Sequence, residues 1–456
     1  MEMKAHRSIE QKEEMQQVSA AKRGYILGLL TFIWALSFLD RNVLSMVLDP
    51  IKKEFALSDT MLGAMIGLGF ALVYLILSIP VARLADRKAR IPIIGVGLVV
   101  WSVMTTLGGV ARSALQMLIF RMGVGVGESA STAPALSLIA DYFPKDKRPL
   151  ATSIYNMAPN LGLYFGFLIG GIVTQYYGWR AAFLFAGIPG LLTAVLLYLT
   201  VKEPARGLSD GVKVDTKFYT LSNTISYFLT DKTLLLVLAG ACLTAFTNFA
   251  GLTWTPSFFR RVHHLSGAQL GLIVGTVIGG SGIIGGIIAG VVTSALSKGK
   301  DRWKILIPGF MLIAAGPVLV FQLLPNSLAT CLIFLFIAQC LTGPANGLQF
   351  AVVQSVVKVR MRAFASSLHF ICANLFGMAL APLVVGIIND ALTPRFGAFA
   401  VRYSLLLMIP SSILAGLFLV WGARYISGDV KTALEEGTHK TGPDRTAAEA
   451  VPKPAT

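Results

Sequence analysis

Residues 113–148 read SALQMLIFRMGVGVGESASTAPALSLIADYFPKDKR, a long apolar helix that carries Arg121 and Glu128 among side chains suited to hydrocarbon. An ionisable group at membrane depth costs about 3 kcal/mol or more, so it faces a bundle interior or a watery cavity. Arg121 and Glu128 are seven residues apart, which is two turns along one helix face and about 10 Å of rise. Gly123, Gly125 and Gly127 remove side chains from that interval, so a neighbouring helix or a ligand can come close. The first apolar run supplies matching charges, Asp40 and Arg41, within SFLDRNVLS. Adjacent residues diverge by about 100° around a helix and do not readily neutralise each other. Partners on another helix are expected, and Arg121 and Glu128 are the available ones.

The rest of the chain explains why these charges are exceptional. Of 456 residues, 55% are apolar and 14% charged. A bilayer core takes about 20 apolar residues per helix. Twelve such stretches occur, at 25–50, 60–82, 92–111, 114–140, 149–175, 181–201, 233–259, 267–297, 304–323, 328–357, 363–390 and 403–424. They are too long and too apolar for barrel strands, so the fold class is an all-α membrane protein with twelve transmembrane helices.

A net charge of +16 invites a nucleic-acid reading, which the distribution of the charge excludes. With alternate loops on alternate sides, the side holding both termini carries 29 Lys and Arg. The other side carries 8: Lys52, Lys53, Arg112, Arg180, Arg260, Arg261, Arg395 and Arg402. This is the positive-inside pattern, so both termini are expected in the cytoplasm. The N-terminal tail is polar and has no cleavage pattern, so no secretory signal is expected. Cys242, Cys331, Cys340 and Cys372 all lie in apolar runs and read as packing residues, not as disulfide or metal partners.

Two internal repeats organise the chain. A shift of 208 places Leu57, Ser58, Leu62, Gly63 and Gly67 on Leu265, Ser266, Leu270, Gly271 and Gly275. A shift of 214 places Arg148, Ala151, Ser153, Asn160 and Leu161 on Arg362, Ala365, Ser367, Asn374 and Leu375. The expected organisation is a cytoplasmic tail (1–22), a six-helix bundle (23–201), a cytoplasmic linker (202–232), a second six-helix bundle (233–425) and a disordered tail (426–456). Parallel six-helix halves related by an axis along the membrane normal resemble the major facilitator arrangement.

The loop ARLADRKAR (82–90) resembles the major facilitator loop signature, with Leu84, Asp86, Arg87 and Arg90 matching and alanines where the family has glycines. That resemblance implies a cytoplasmic gate formed by Asp86, Arg87, Arg90 and Arg148, with Asp86 facing the start of helix 11 near Ser366. Helix 5, YNMAPNLGLYFGFLIGG, has Gly162, Gly166 and Gly170 four apart, a close-packing face. The polar residues Tyr155, Asn156, Asn160 and Tyr164 in the first half, with Asn248, Asn346 and Gln349 in the second, are the expected substrate contacts. His369 stands alone and reads as a packing residue.

LDR in helix 1, RMGVGVGES in helix 4 and VKEPARG after helix 6 together resemble the Spinster-type branch of the major facilitator superfamily. The resemblance implies a secondary active transporter that works by alternating access, is coupled to protons, and moves lysophospholipid or sphingoid-type molecules. Organic-anion (sugar-acid) proton symporters of the same superfamily share a similar helix 4 pattern and are the alternative. Asp40, Arg41, Arg121 and Glu128 are expected to carry proton coupling. No HExxH, GxSxG or phosphate loop is present, so neither an enzyme nor a cofactor is expected. The expected setting is a monomer in the cytoplasmic membrane, in contact with lipids, protons and a small amphipathic or anionic substrate.

Overall fold

Lipid offers backbone amides no water to bond, so a chain this apolar must satisfy them within helices. No strand occurs among the described residues of the computed structural model, which are 19–144, 146–204, 231–298, 300–357 and 362–426, with the side chains of 362–364 left out. The helices are α1 (Ala20–Phe55), α2 (Asp59–Arg87), α3 (Arg90–Gly108), α4 (Ala114–Glu128 continued by Thr132–Tyr142), α5 (148–177), α6 (179–200), α7 (Lys232–His263), α8 (Gly267–Leu296), α9 (Arg302–Leu323), α10 (Leu328–Val356), α11 (362–396) and α12 (400–422). The described residues hold nine elements apolar and long enough to cross a membrane. Two of these are hairpins: α5–α6 turns at Gly178 (φ 83°) and α11–α12 at Gly397 (φ 55°), backbone angles that glycine adopts freely. The interrupted α4 adds the remaining crossing. Most of the two expected tails and of the expected linker lies outside the described residues, and α1 begins at Ala20, within the expected N-terminal tail.

The repeat seen in the sequence reappears as the contact between the halves. Helices α2 and α8 begin alike: Ser58 accepts from the Met61 amide, and Ser266 from the Gln269 amide. A methyl group placed on Gly63 would meet the Pro382 carbonyl of α11 and lie 2.9 Å from Leu383 Cα. On its repeat mate Gly271, a methyl would lie 2.7 Å from the Phe167 carbonyl oxygen of α5. Backbone touches backbone at both crossings.

Further along α8 the gap to α5 widens. A methyl on Gly275 would sit 3.1 Å from Phe167 Cβ, one on Gly279 3.4 Å from Tyr164 and one on Gly282 3.3 Å from the Asn160 side chain, so side chains replace backbone in the contact; on Gly286 and Gly290 it would meet nothing within 4 Å. The halves therefore form a wedge, closed at the face opposite the chain ends (the far face) and parted toward the terminal face. The apolar core follows the same shape. One cluster bridges the halves near the far face through Val47, Leu62, Phe167, Trp254 and Val385. Toward the terminal face one cluster gathers around Ile94, Leu138 and Tyr155, reaching Met378 and Ala379 of α11, and another gathers around Leu234, Val353 and Leu419.

On the far face Arg180 pairs with Glu54, and Arg261 pairs with Asp49. The charge asymmetry predicts that this face is outside the cell. A cysteine introduced at Arg180 or Arg260 should react with an impermeant reagent added to whole cells. Reaction of one introduced at Asp210 would reverse the orientation.

Candidate functional site

The glycine stripe of α5 presses on α1 and fixes the helix that carries Asp40. A methyl on Gly166 would lie 2.7 Å from the Leu39 carbonyl oxygen, and one on Gly170 3.2 Å from Val43 Cα. Across from it, Gly125 of α4 sits against α2, where a methyl would be 2.8 Å from the Phe70 carbonyl oxygen. Close packing on both sides brings the four membrane-depth charges together as two crossed pairs.

Asp40 faces Arg121, with 3.4 Å from Nη1 to each carboxylate oxygen, and Thr105 Oγ1 donates to Asp40 Oδ2 at 2.8 Å. Arg41 turns the other way to Glu128: its Nε donates to Oε2 at 2.9 Å, and Nη2 donates to the same oxygen. Ser37 Oγ adds a third donor to Oε2 at 2.8 Å. Glu128 Oε1 and Arg121 Nε are buried without a hydrogen-bond partner. Each pair thus keeps an unused donor or acceptor, which is costly in low dielectric unless a second state uses it.

The two arginines, not the carboxylates, line the central cavity. Their neighbours there are Phe38, Phe70, Phe249, Leu252, Met378 and Pro382, contributed by both halves. The Arg41 guanidinium carbon lies 4.7 Å from the Phe70 ring centre and 4.9 Å from that of Phe38; Arg121 lies 5.5 Å from Phe70. The free space is about 40 Å³, room for a few water molecules and far too little for a lipid headgroup.

The expected substrate contacts divide in two. Asn156 and Asn160 are exposed, and Asn160 borders the gap opposite Gly282. Tyr164 packs beside Gly279 in the same wedge. Asn248 donates to the Thr342 carbonyl at 3.3 Å and, like Asn346, keeps a buried amide oxygen without a partner. Tyr155 and Gln349 are turned into their own halves. Tyr155 stacks on Trp34 at 4.4 Å, and Gln349 Nε2 donates to Thr244 Oγ1 at 2.9 Å. His369 is buried beside Phe350.

Twelve helices in two repeats around a charged midplane describe a transporter fold, and the Major Facilitator Superfamily model matches residues 30–382. The chain belongs to the Major Facilitator Superfamily. Among its relatives is an MFS-type efflux pump of Mycolicibacterium smegmatis, 30% identical over 88% of this chain and 92% of the pump. A sphingosine-1-phosphate transporter of Danio rerio is 24% identical over 90% of this chain and 86% of its own length. Among solved structures, a bacterial homolog to the human lysosomal transporter Spinster, in an inward-facing and unoccupied conformation, superposes with a TM-score of 0.77 at 28% identity. That match covers 92% of this chain and 99% of the homolog. The protein is a multi-pass membrane transporter similar to the Spinster-type members of the superfamily.

The superfamily loop at 82–90 is only partly where the sequence places it. Asp86 and Arg87 are exposed on the terminal face, and Arg148 Nε donates to the Phe143 carbonyl at 3.0 Å. Arg90 is not at a gate between the halves; it is 1% exposed inside the first half. It pairs with Asp141 and donates to Glu203 Oε1 at 2.7 Å and to Ser137 Oγ at 2.9 Å. Glu203 Oε2 also accepts the Arg90 and Ile91 amides, each at 2.8 Å, capping α3. A buried guanidinium needs several acceptors, and the ends of α4 and α6 supply both carboxylates. Arg90→Met should destabilise the protein by about 3 kcal/mol, because the buried guanidinium that ties Asp141 to Glu203 is then lost. A drop in the detergent melting temperature, partly restored in Arg90→Lys, checks this.

Sequence reasoning missed Ser37 and Thr105, since single hydroxyls on apolar helices carry no signal. It also missed a far-face network in which Arg261 bonds Asp59 at 2.6 and 2.9 Å and Lys52 bonds it at 2.6 Å. Asp390 of α11 caps α2 there, accepting the Asp59 amide at 2.9 Å and the Thr60 amide at 2.8 Å. Opposite charges at helix ends beside the repeat glycines were the available clue.

Proposed function

We propose that this transporter is proton-coupled and moves lysophospholipid or sphingoid-type amphipaths across the cytoplasmic membrane, as a monomer with both termini in the cytoplasm. The observation that carries the reading is the pair of arginines at the junction of the halves, each backed by a carboxylate, with aromatic rings around Arg41 and Phe70 beside Arg121. An anionic headgroup that reaches Arg41 or Arg121 competes with Glu128 or Asp40 for the guanidinium. A carboxylate released in this way takes up a proton, which links substrate to proton. The aromatic and aliphatic part of the lining suits a single alkyl chain, while Asn42, Ser45 and Thr253 beside the arginines suit a polar headgroup.

In this scheme the present wedge is the inward-open state, and the 40 Å³ cavity widens when substrate enters. Asn160 and Tyr164 meet substrate on the way in. Asp86 and Arg87 form the latch that closes the terminal face in the opposite state, so Asp86→Asn should raise the inward-open population. Purified protein in detergent, melted with lysophosphatidate, sphingosine phosphate or galactonate, tests the substrate class. Stabilisation by the two lipids, lost in Arg41→Gln, is the expected result. Stabilisation by galactonate alone would replace the lipid reading with sugar-acid symport.

A further inference from the structure

A second charged site lies about one membrane-half away, on the far face. There the end of α1, the end of α7 and the turn after α11 enclose a bowl of about 550 Å³ that straddles both halves. Its charged lining is Asp49, Lys52 and Lys53 from the first half and Arg260 and Arg261 from the second. Asp49 and the fully buried Asp59 beneath it neutralise Arg261 and Lys52. Lys53 and Arg260 make no ion pair among the described residues, and Asp49 attracts Arg260 as well as Arg261. Four cations thus share two carboxylates, and closing the wedge here leaves two positive charges in excess on one rim.

We infer that the bowl is a binding site for a phosphate-type anion, which bridges Lys53 of the first half to Arg260 of the second and holds the far face closed. Like charges from opposite halves oppose closure, and the two carboxylates present, shared among four cations, offset only half of that charge. The site exists only while the far ends of α1 and α7 are together, because parting the halves separates its two cations. A ligand of one conformation shifts the equilibrium toward it in proportion to its differential affinity. The anion would thus oppose opening to the far side, independently of what the central cavity carries. Free phosphate and a phospholipid headgroup share this chemistry.

Hydrogen–deuterium exchange of the full chain in nanodiscs distinguishes them, read at residues 49–66 and 382–396. In phosphatidylcholine discs, inorganic phosphate should slow exchange in both segments roughly fivefold relative to chloride at equal ionic strength, the low end of ordinary coupling between sites. Slowing in phosphatidylglycerol discs without phosphate would instead make the lipid headgroup the source. Lys53→Gln with Arg260→Gln should remove either response. Lys53 is exposed, so Lys53→Gln alone keeps the fold and should still weaken the response severalfold. Arg261→Gln should speed exchange without any anion, which establishes that the readout follows the seal. If neither anion slows exchange, or if Lys53→Gln responds like the unaltered protein, the inference is wrong.

Discussion

Glu128→Gln and Asp40→Asn should each abolish proton-driven transport in proteoliposomes, with rates falling at least tenfold. Glu128 holds Arg41 through two nitrogens and is held in turn by Ser37; Asp40 holds Arg121 and accepts from Thr105. Both carboxylates are nearly fully buried, at 1% exposure. In the proposed scheme a conformational change that moves the arginine away from its buried carboxylate moves a proton with it. The amide variants cannot exchange that proton. Substrate binding should survive in at least one of them and should no longer depend on pH. Loss of binding in both would make the four charges a structural clamp. Normal transport with an unchanged pH profile in both would remove them from the mechanism altogether. Breaking one partner from a buried pair also destabilises the fold, so each variant needs a melting curve alongside its transport rate.

Gly63→Val should hold the far face open. The new methyls would press on the Pro382 carbonyl and Leu383 Cα, and a backbone cannot turn aside as a side chain can. Overpacking of this kind costs about 2 kcal/mol, close to a thirtyfold change in a two-state equilibrium. Gly271→Val, at the matching crossing with α5, should act in the same direction. Gly290→Val should leave the far face as it is, since a Cβ there meets nothing within 4 Å. Spin labels at Arg112 and Ala329, one in each half, report the far-face distance. A longer mean distance in the first two variants and an unchanged one in the third is the expected pattern. Closure of the Gly63→Val protein at the normal distance would show that the seal pivots elsewhere.

The three glycines also show where sequence and structure divide. Composition and run length were enough for the class and the twelve helices, because hydrocarbon permits little besides helices. The repeat was legible because Ser58, Gly63 and Gly67 recur as Ser266, Gly271 and Gly275, and those are the residues that cap and seat α2 and α8. The four midplane charges were legible because a charge in an apolar run stands out. The pairing was legible too, since signs leave Asp40 only Arg121 and Arg41 only Glu128; the hydroxyls that complete each pair, Ser37 and Thr105, were not, since they depend on how α1 is rotated against α3 and α4. Nor was the inward turn of Arg90, which the ends of α4 and α6 decide from 51 and 113 residues away. The wedge itself is also invisible in the chain. A transporter's sequence encodes two packings of similar free energy, and a linear pattern of apolar residues is the same in both, so only the tertiary structure tells which one is closed.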